Sequence, residues 1–383
     1  MRCSRLFRLL LWNLAALAVL ALLVELGLRL AGVRYPAFYR TDPVRGFAHR
    51  PEVQGWWTRE GRGWVSINPA GFRDVPHPPH AQPGVLRLAV LADSFGEAFQ
   101  VNLNDTWWKR LERRINTTPG CALTQAHPGG VEVMNFGVGA YGTGQQLLTW
   151  RTDVQATRPD LVLLAMYLGN DIDDNTPRHR PDRPVFRLDP QGELQIDQAF
   201  RQTSPFRFRQ SWLGRGLDWL VDHSRLAQLL NEAKNRASVQ RDAARQAPAP
   251  VASMPQPARD NPEGWRVTAA LLRALDQEVH QAGARLRVVS LTAPEQVWPD
   301  QRQRQAAFAQ AGLQPFTREQ QLSAILQPLA VPYLPLAPAL QRQADAHGLL
   351  LHGFPQQQPG IGHWNVTGHR LAAERLAGWL CGR

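Results

Sequence analysis

Val85-Leu86-Arg87-Leu88-Ala89-Val90-Leu91-Ala92-Asp93-Ser94-Phe95 is the stretch on which the fold turns. From Val85 to Leu91 only Arg87 is polar. A run this apolar reads as a parallel strand covered on both faces. It stops at Asp93-Ser94. Open α/β sheets gather their ligands outside the carboxyl ends of the strands, so Ser94 stands where a reacting group is useful. Near the other end of the chain, His363-Trp364-Asn365 precedes a closing helix, in a loop that can come back to the same edge. A serine hydroxyl is a weak nucleophile until a neighbouring base takes its proton, and a histidine can be that base.

Working outward, strands and helices alternate. Further strands are expected at Val131–Met134, Leu161–Met166, Leu286–Leu291 and Val331–Leu336. A helix is expected over Asp105–Ile115, with Asp105 as its cap. Another opens at Asn261-Pro262 and closes at Gly283, with Pro early and Gly late. The last starts near Asn365 and carries Leu371, Ala372, Leu376 and Leu380 on one side. This alternation predicts a three-layer α/β/α sandwich around a parallel sheet of about five strands. Between the third and fourth strands, an insertion at about 173–260 would cover the catalytic edge as a lid. It carries a hairpin around Asp189-Pro190-Gln191-Gly192, a helix over Leu217–Ala237, and a Pro-rich linker over Gln246–Pro257.

The chain begins Met-Arg-Cys-Ser-Arg-Leu-Phe-Arg, and from Leu9 to Val24 only Asn13 is polar. Leu9 to Leu28 supplies the roughly 20 apolar residues that cross a bilayer. Arg2, Arg5 and Arg8 before it favour a cytoplasmic N-terminus. The expectation is an uncleaved, single-pass signal anchor in the inner membrane over residues 1–32, with the rest in the periplasm or outside. Residues 33–84, rich in Pro, Gly and Trp, form an extension lying across the main domain at 85–383. Net charge is +11, and of the 43 basic residues only Lys109 and Lys234 are lysines. The arginines are scattered along the chain with no stripe, which argues against nucleic acid as a partner.

Four short segments fall at strand ends or in the final loop. They are Ala92-Asp93-Ser94-Phe95-Gly96-Glu97, Asn135-Phe136-Gly137-Val138-Gly139-Ala140-Tyr141-Gly142-Thr143, Gly169-Asn170-Asp171, and His363-Trp364-Asn365-Val366-Thr367-Gly368-His369. Their order and placement resemble the SGNH (GDSL-type) hydrolases, whose four blocks supply Ser, Gly, Asn and His. The resemblance runs from about Asn68 to Leu380 and is least over the insertion. It implies Ser94 as nucleophile and His363 as base. It also implies an oxyanion hole made by the Ser94 N–H, the Ala140 N–H and the Asn170 amide. Asp93, Gly139, Asp171 and Asn365 are candidate supporting residues. No Gly-x-Ser-x-Gly elbow is present, which argues against the ordinary α/β-hydrolase fold.

The chain departs from that pattern in three places. Ala92 and Ala140 stand where the family has glycine, and alanine serves at 140 if its φ is negative. The family's aspartate just before the histidine is missing, since Gly360, Ile361 and Gly362 occupy those positions. An acid fixes the tautomer of the base and stabilises its cation. Three readings stay open. A main-chain carbonyl orients His363, an acid such as Asp171 or Asp173 reaches it from elsewhere, or the site only binds.

Cys121 follows the first helix of the core and Cys381 ends the last. Those two helices share a face if the first strand is central, so a Cys121–Cys381 disulfide is expected, in keeping with an oxidising compartment. Trp56, Trp57, Trp64, Trp107 and Trp108 read as packing of the extension on the first core helix, or as a glycan-stacking groove. His77 and His80 lack a third ligand, and His369, His347 and His352 read as structural. No phosphate loop, metal cluster or dinucleotide motif points to a cofactor. The expected function is an extracytoplasmic serine esterase that takes acyl groups, acetyl foremost, from an envelope or secreted glycan or lipid. The alternatives are an O-acyltransferase acting on exopolysaccharide and a non-catalytic glycan-binding or envelope-assembly protein.

Overall fold

The structure, a computed structural model, describes residues 2–176, 182–245, 261–355 and 359–382. Its centre is a five-stranded parallel sheet, with β1 Val85–Ala92, β2 Gly130–Asn135, β3 Leu161–Met166, β4 Arg285–Ser290 and β5 Tyr333–Pro335. The spatial order is β5-β4-β3-β1-β2, which puts β1 inside the sheet with β2 and β3 on either side. β1 and β3 are buried on both faces, as their apolar runs require. Arg87, the polar exception in β1, is satisfied where it lies. It pairs with Glu132 at 2.8 Å and donates to the carbonyls of Pro79 and Thr157.

Helices cover both faces. Trp107–Thr117 and Val366–Leu380 pack together on one face, with Leu111, Ile115, Leu376 and Leu380 in the shared core. Pro262–Gln281 lies on the other with Leu271, Leu272 and Leu275. The first of these helices is capped by Thr106 instead of Asp105, which closes a short 3-10 turn at Leu103–Asp105. Thr106 has the extended backbone that a cap needs, and its hydroxyl accepts from the Lys109 N–H. Asn261 caps the helix that starts at Pro262, its side chain accepting from the Gly264 N–H.

Cys121 and Cys381 are joined in a disulfide with their Cα atoms 4.5 Å apart, linking positions 260 residues apart. A cross-link over so long a loop removes much of the unfolded chain's freedom. Replacing both cysteines by alanine should cost about 3 to 5 kcal/mol in a urea unfolding titration. Equal stability of parent and variant would show that the bond contributes nothing.

The extension contributes two hairpins, Tyr39–Asp42 with Gly46–His49 and Gln54–Trp57 with Gly63–Ser66. They rest on the core through a cluster of Phe38, Val65, Ile67 and Phe99. In the insertion, Val185–Leu188 pairs with Leu194–Asp197. The single helix expected over Leu217–Ala237 is instead two, Trp212–His223 and Arg225–Arg245, broken at Ser224. The Gln246–Pro257 linker lies outside the described residues. The N-terminal helix spans Arg2–Leu30. Within it Phe7–Leu30 has a mean hydropathy of 2.3, and its most apolar 18-residue stretch is not buried against the rest of the chain, so by length and composition it can cross a membrane.

Candidate active site

β1 ends at Ala92, and Asp93 caps a single helical turn, Ser94–Glu97, by accepting from the Phe95 N–H at 2.9 Å. Two fully buried tryptophans hold that turn from below. The Trp107 indole donates to the Phe95 carbonyl at 3.0 Å, and Trp108 donates to Gly96 at 2.9 Å. Packing is therefore the role these two tryptophans play. A buried indole needs a partner for its N–H, and the Ser94–Glu97 turn supplies one. From the other side the Arg73 guanidinium donates to the carbonyls of Glu97, Ala98 and Val101. Burial pulls Arg73 down to about 10, and the nearby Glu97 and Asp74 charges oppose that.

Ser94 Oγ donates to His363 Nε2 at 2.8 Å. The acid that completes the line is Glu60, from the extension. One Glu60 oxygen accepts from His363 Nδ1, and the other accepts from the His363 backbone N–H at 2.7 Å. Gly362 makes room, since a Cβ there would fall 2.2 Å from Glu60 Oε1, and its φ of +86° is one that glycine tolerates. Burial works to lower His363, but the hydrogen bond and charge of Glu60 outweigh it and hold the imidazole above its ordinary value. Burial likewise works to raise Glu60, and His363 overcomes it and keeps the carboxyl below the usual range. Each partner thus favours the charged form of the other.

The other acids considered for this role are engaged elsewhere. Asp173 accepts from the Asn261 amide at 2.6 Å, and Asp171 is fully buried and accepts from the Tyr167 N–H at 3.0 Å. Asp93 lies 3.4 Å from the Ser94 hydroxyl. Burial pushes Asp93 up to about 7. Burial, then the charges of Asp93 and Asp174, push Asp171 well above the carboxylate range.

Ala140 and Asn170 line the same cavity as Ser94, Glu60 and His363. The Asn170 amide donates to Asp174 at 2.9 Å, which uses one of its two N–H groups and leaves the other for a ligand. Gly139 donates to Glu97 at 2.8 Å, and a Cβ there would lie 2.7 Å from Glu97 Oε2. Glu97 also accepts from Tyr39 and His49, so it ties the extension to the loop at Gly139. The condition on which Ala140 would serve in place of glycine, a negative φ, is not met. The Ala140 φ is 59°, because the loop must turn back sharply between Gly139 and Tyr141, whose N–H bonds to Val138. A left-handed alanine costs about 1 to 2 kcal/mol, and part of that returns as lost chain entropy when glycine replaces it. Ala140→Gly should raise stability by about 0.5 to 1 kcal/mol in urea unfolding with turnover retained. A destabilised variant would contradict this conformation.

No family model matches the chain, and no curated protein matches it. Among solved structures it is similar to a lipolytic protein of the G-D-S-L family from Desulfitobacterium hafniense, at 11% identity, with 76% of this chain and 97% of that one covered and a TM-score of 0.36. An acetyl xylan esterase is similar at 10% identity, with 76% and 98% covered and a TM-score of 0.36. A catalytic mutant of an acetylxylan esterase from Geobacillus stearothermophilus is similar at 12% identity, with 78% and 94% covered and a TM-score of 0.39.

His352 also supports the site and reads as an ordinary loop residue in the sequence. It is fully buried, bonds the Gly362 carbonyl at 2.6 Å through Nδ1, and meets Thr292 at 2.9 Å through Nε2. Thr292 in turn accepts from the Trp364 indole at 2.7 Å. Burial pulls His352 down to about 4, so it is neutral at physiological pH and clamps the loop that presents His363. Asn365 caps the closing helix by accepting from the Thr367 and Gly368 N–H groups. His369 is buried and accepts from the Trp107 N–H at 3.2 Å. His77 sits between Asp74 and Glu132.

Proposed function

We propose that this chain is a membrane-anchored serine esterase of the SGNH kind, which removes acetyl groups from an envelope or secreted glycan outside the cytoplasm. The observation that carries this reading is the hydrogen-bonded line Ser94–His363–Glu60 in the wall of a cavity of about 1310 Å³. In it, His363 Nε2 takes the proton of Ser94 Oγ as that oxygen attacks the ester carbonyl. The negative charge on the carbonyl oxygen meets the N–H of Ser94 and the second N–H of the Asn170 amide, donors worth about 10² to 10³ in rate apiece. His363, held as a cation by Glu60, gives its proton to the departing sugar oxygen. Water then repeats the sequence on the acetyl-serine, and acetate leaves.

Glu60 beside His363 favours the catalytic reading over one in which the site only binds. Trp57, Tyr167 and Phe206 supply aromatic faces in the cavity that suit a sugar, beside polar Asn231 and Asn235. The apolar helix ahead of the extension supports anchoring, and Arg2, Arg5 and Arg8 support export of the chain beyond that helix. The test is to incubate the full chain with an acetylated oligosaccharide and an unacetylated acceptor, and to monitor both by mass spectrometry. Free acetate should accumulate with loss of acetyl from the donor. Acetyl moved onto the acceptor would make the chain a transferase, and an unchanged donor would end the esterase reading.

A further inference from the structure

The insertion helix Trp212–His223 is built inside out for a soluble protein. Its inward side carries Gly214, Asp218 and Val221, and the last two line the cavity above Ser94. Its outward side carries Trp212, Leu213, Leu217, Trp219 and Leu220, which at 3.6 residues per turn share one broad face. That face is bare, with Trp212 74%, Leu217 54% and Trp219 61% exposed. Phe208 before it and Leu229 and Leu230 after it are exposed too. Beyond the N-terminal helix, 8 of the 12 exposed large apolar side chains among the described residues lie between Phe208 and Leu230. A patch this concentrated marks a contact surface.

The place where this face is fastened indicates its cover. Glu25, in the N-terminal helix, accepts from the N–H groups of Arg225 and Leu226 and from the Ser224 hydroxyl, each at 2.9 Å. Arg29 donates to the His223 carbonyl at 2.5 Å. The corner between the two insertion helices is thus bolted to the apolar helix five residues before its end at Leu30. At 1.5 Å per residue that is about 7.5 Å below the helix end, the depth of a bilayer interface. Indole rings at 212 and 219 suit that level. Arg207 and Arg215 are exposed beside the apolar face, and they suit anionic headgroups.

We infer that Trp212–His223 lies in the outer interface of the membrane, apolar face down, so that the cavity roof rests on a lipid surface. This rests on the proposal that Phe7–Leu30 spans the membrane. Anionic phospholipid is the partner, and the roof residues Asp218 and Val221 are held in place from the lipid side.

The test uses the full chain with Cys3→Ser, reconstituted in vesicles of phosphatidylcholine and phosphatidylglycerol that carry doxyl-labelled lipid. An environment-sensitive fluorophore is attached in turn through Leu17→Cys, Leu213→Cys, Leu217→Cys and Arg114→Cys. The last lies on Trp107–Thr117, toward the sheet edge away from the cavity. Doxyl quenching at 213 and 217 should approach that at 17 and exceed that at 114 several-fold. Quenching at 17 with none at 213 and 217 would overturn the inference and leave the anchor standing. No quenching at 17 would remove the anchor and the inference with it. A shielded but unquenched label at 213 would assign the face to another protein or a second copy, and that too would overturn it.

Discussion

Ser94→Ala should reduce kcat/KM for a chromogenic acetyl ester by roughly 10⁴ to 10⁶. The hydroxyl has two contacts, the His363 ring and the Asp93 carboxylate, and neither carries the fold. The turn that presents it is held by the Trp107, Trp108 and Arg73 bonds to backbone carbonyls, which alanine leaves in place. Thermal stability should therefore stay within about 0.5 kcal/mol, as for a surface substitution away from such features. His363→Ala should cost a similar factor. If Ser94 and His363 act as one unit, the double variant should be little worse than either single one. Ester turnover that survives Ser94→Ala would place the reaction elsewhere in the molecule. Losses that multiply in the double variant would mean that Ser94 and His363 work independently, against the geometry.

The sheet was legible in the sequence because its strands are apolar on both faces. Runs such as Leu161–Met166 admit no alternative reading at that length, and the ends of all five strands agree with the expectation to within two residues. The structure departs from the local reading where a tertiary contact overrides local preference. Leu217–Ala237 reads as one helix, yet the chain breaks at Ser224, where the Glu25 carboxylate caps the second helix from 200 residues away. Asp105 is a good capping residue by type, but Thr106 has the backbone conformation that does the capping. Ala140 shows the same pattern, since a left-handed φ is imposed by a loop whose closure the sequence does not display. Glu60 is the site residue that local sequence least reveals. It lies 303 residues before His363, in a segment whose Pro, Gly and Trp content says only that it is irregular. The signal that something was missing was negative. No acidic residue lies between Asp345 and His363, which left open whether a main-chain carbonyl, a distant acid or nothing orients the ring.

Glu60→Gln should lower kcat/KM by about 10² to 10⁴ and move the pH profile to the acid side. Both carboxylate oxygens accept hydrogen bonds, one from the His363 backbone and one from its ring. An amide has a single acceptor oxygen, so a glutamine that keeps the backbone bond turns its NH₂ toward Nδ1. The imidazole then carries its proton on Nε2, where it cannot accept from Ser94. The carboxylate charge is also gone, and that charge is what raises His363 against the opposing effect of burial. The base works only when neutral, so wild-type kcat/KM should fall as pH drops through a value above the ordinary histidine pKa of about 6.5. Without Glu60 the imidazole loses its proton more readily, and the acid limb of the remaining activity should lie at lower pH than in the parent. A Glu60→Gln profile that coincides in shape with the parent's would show that the carboxylate does not set the protonation of His363. A rate that is unchanged as well would mean that a Ser-His pair suffices and that Glu60 only anchors the extension to the loop.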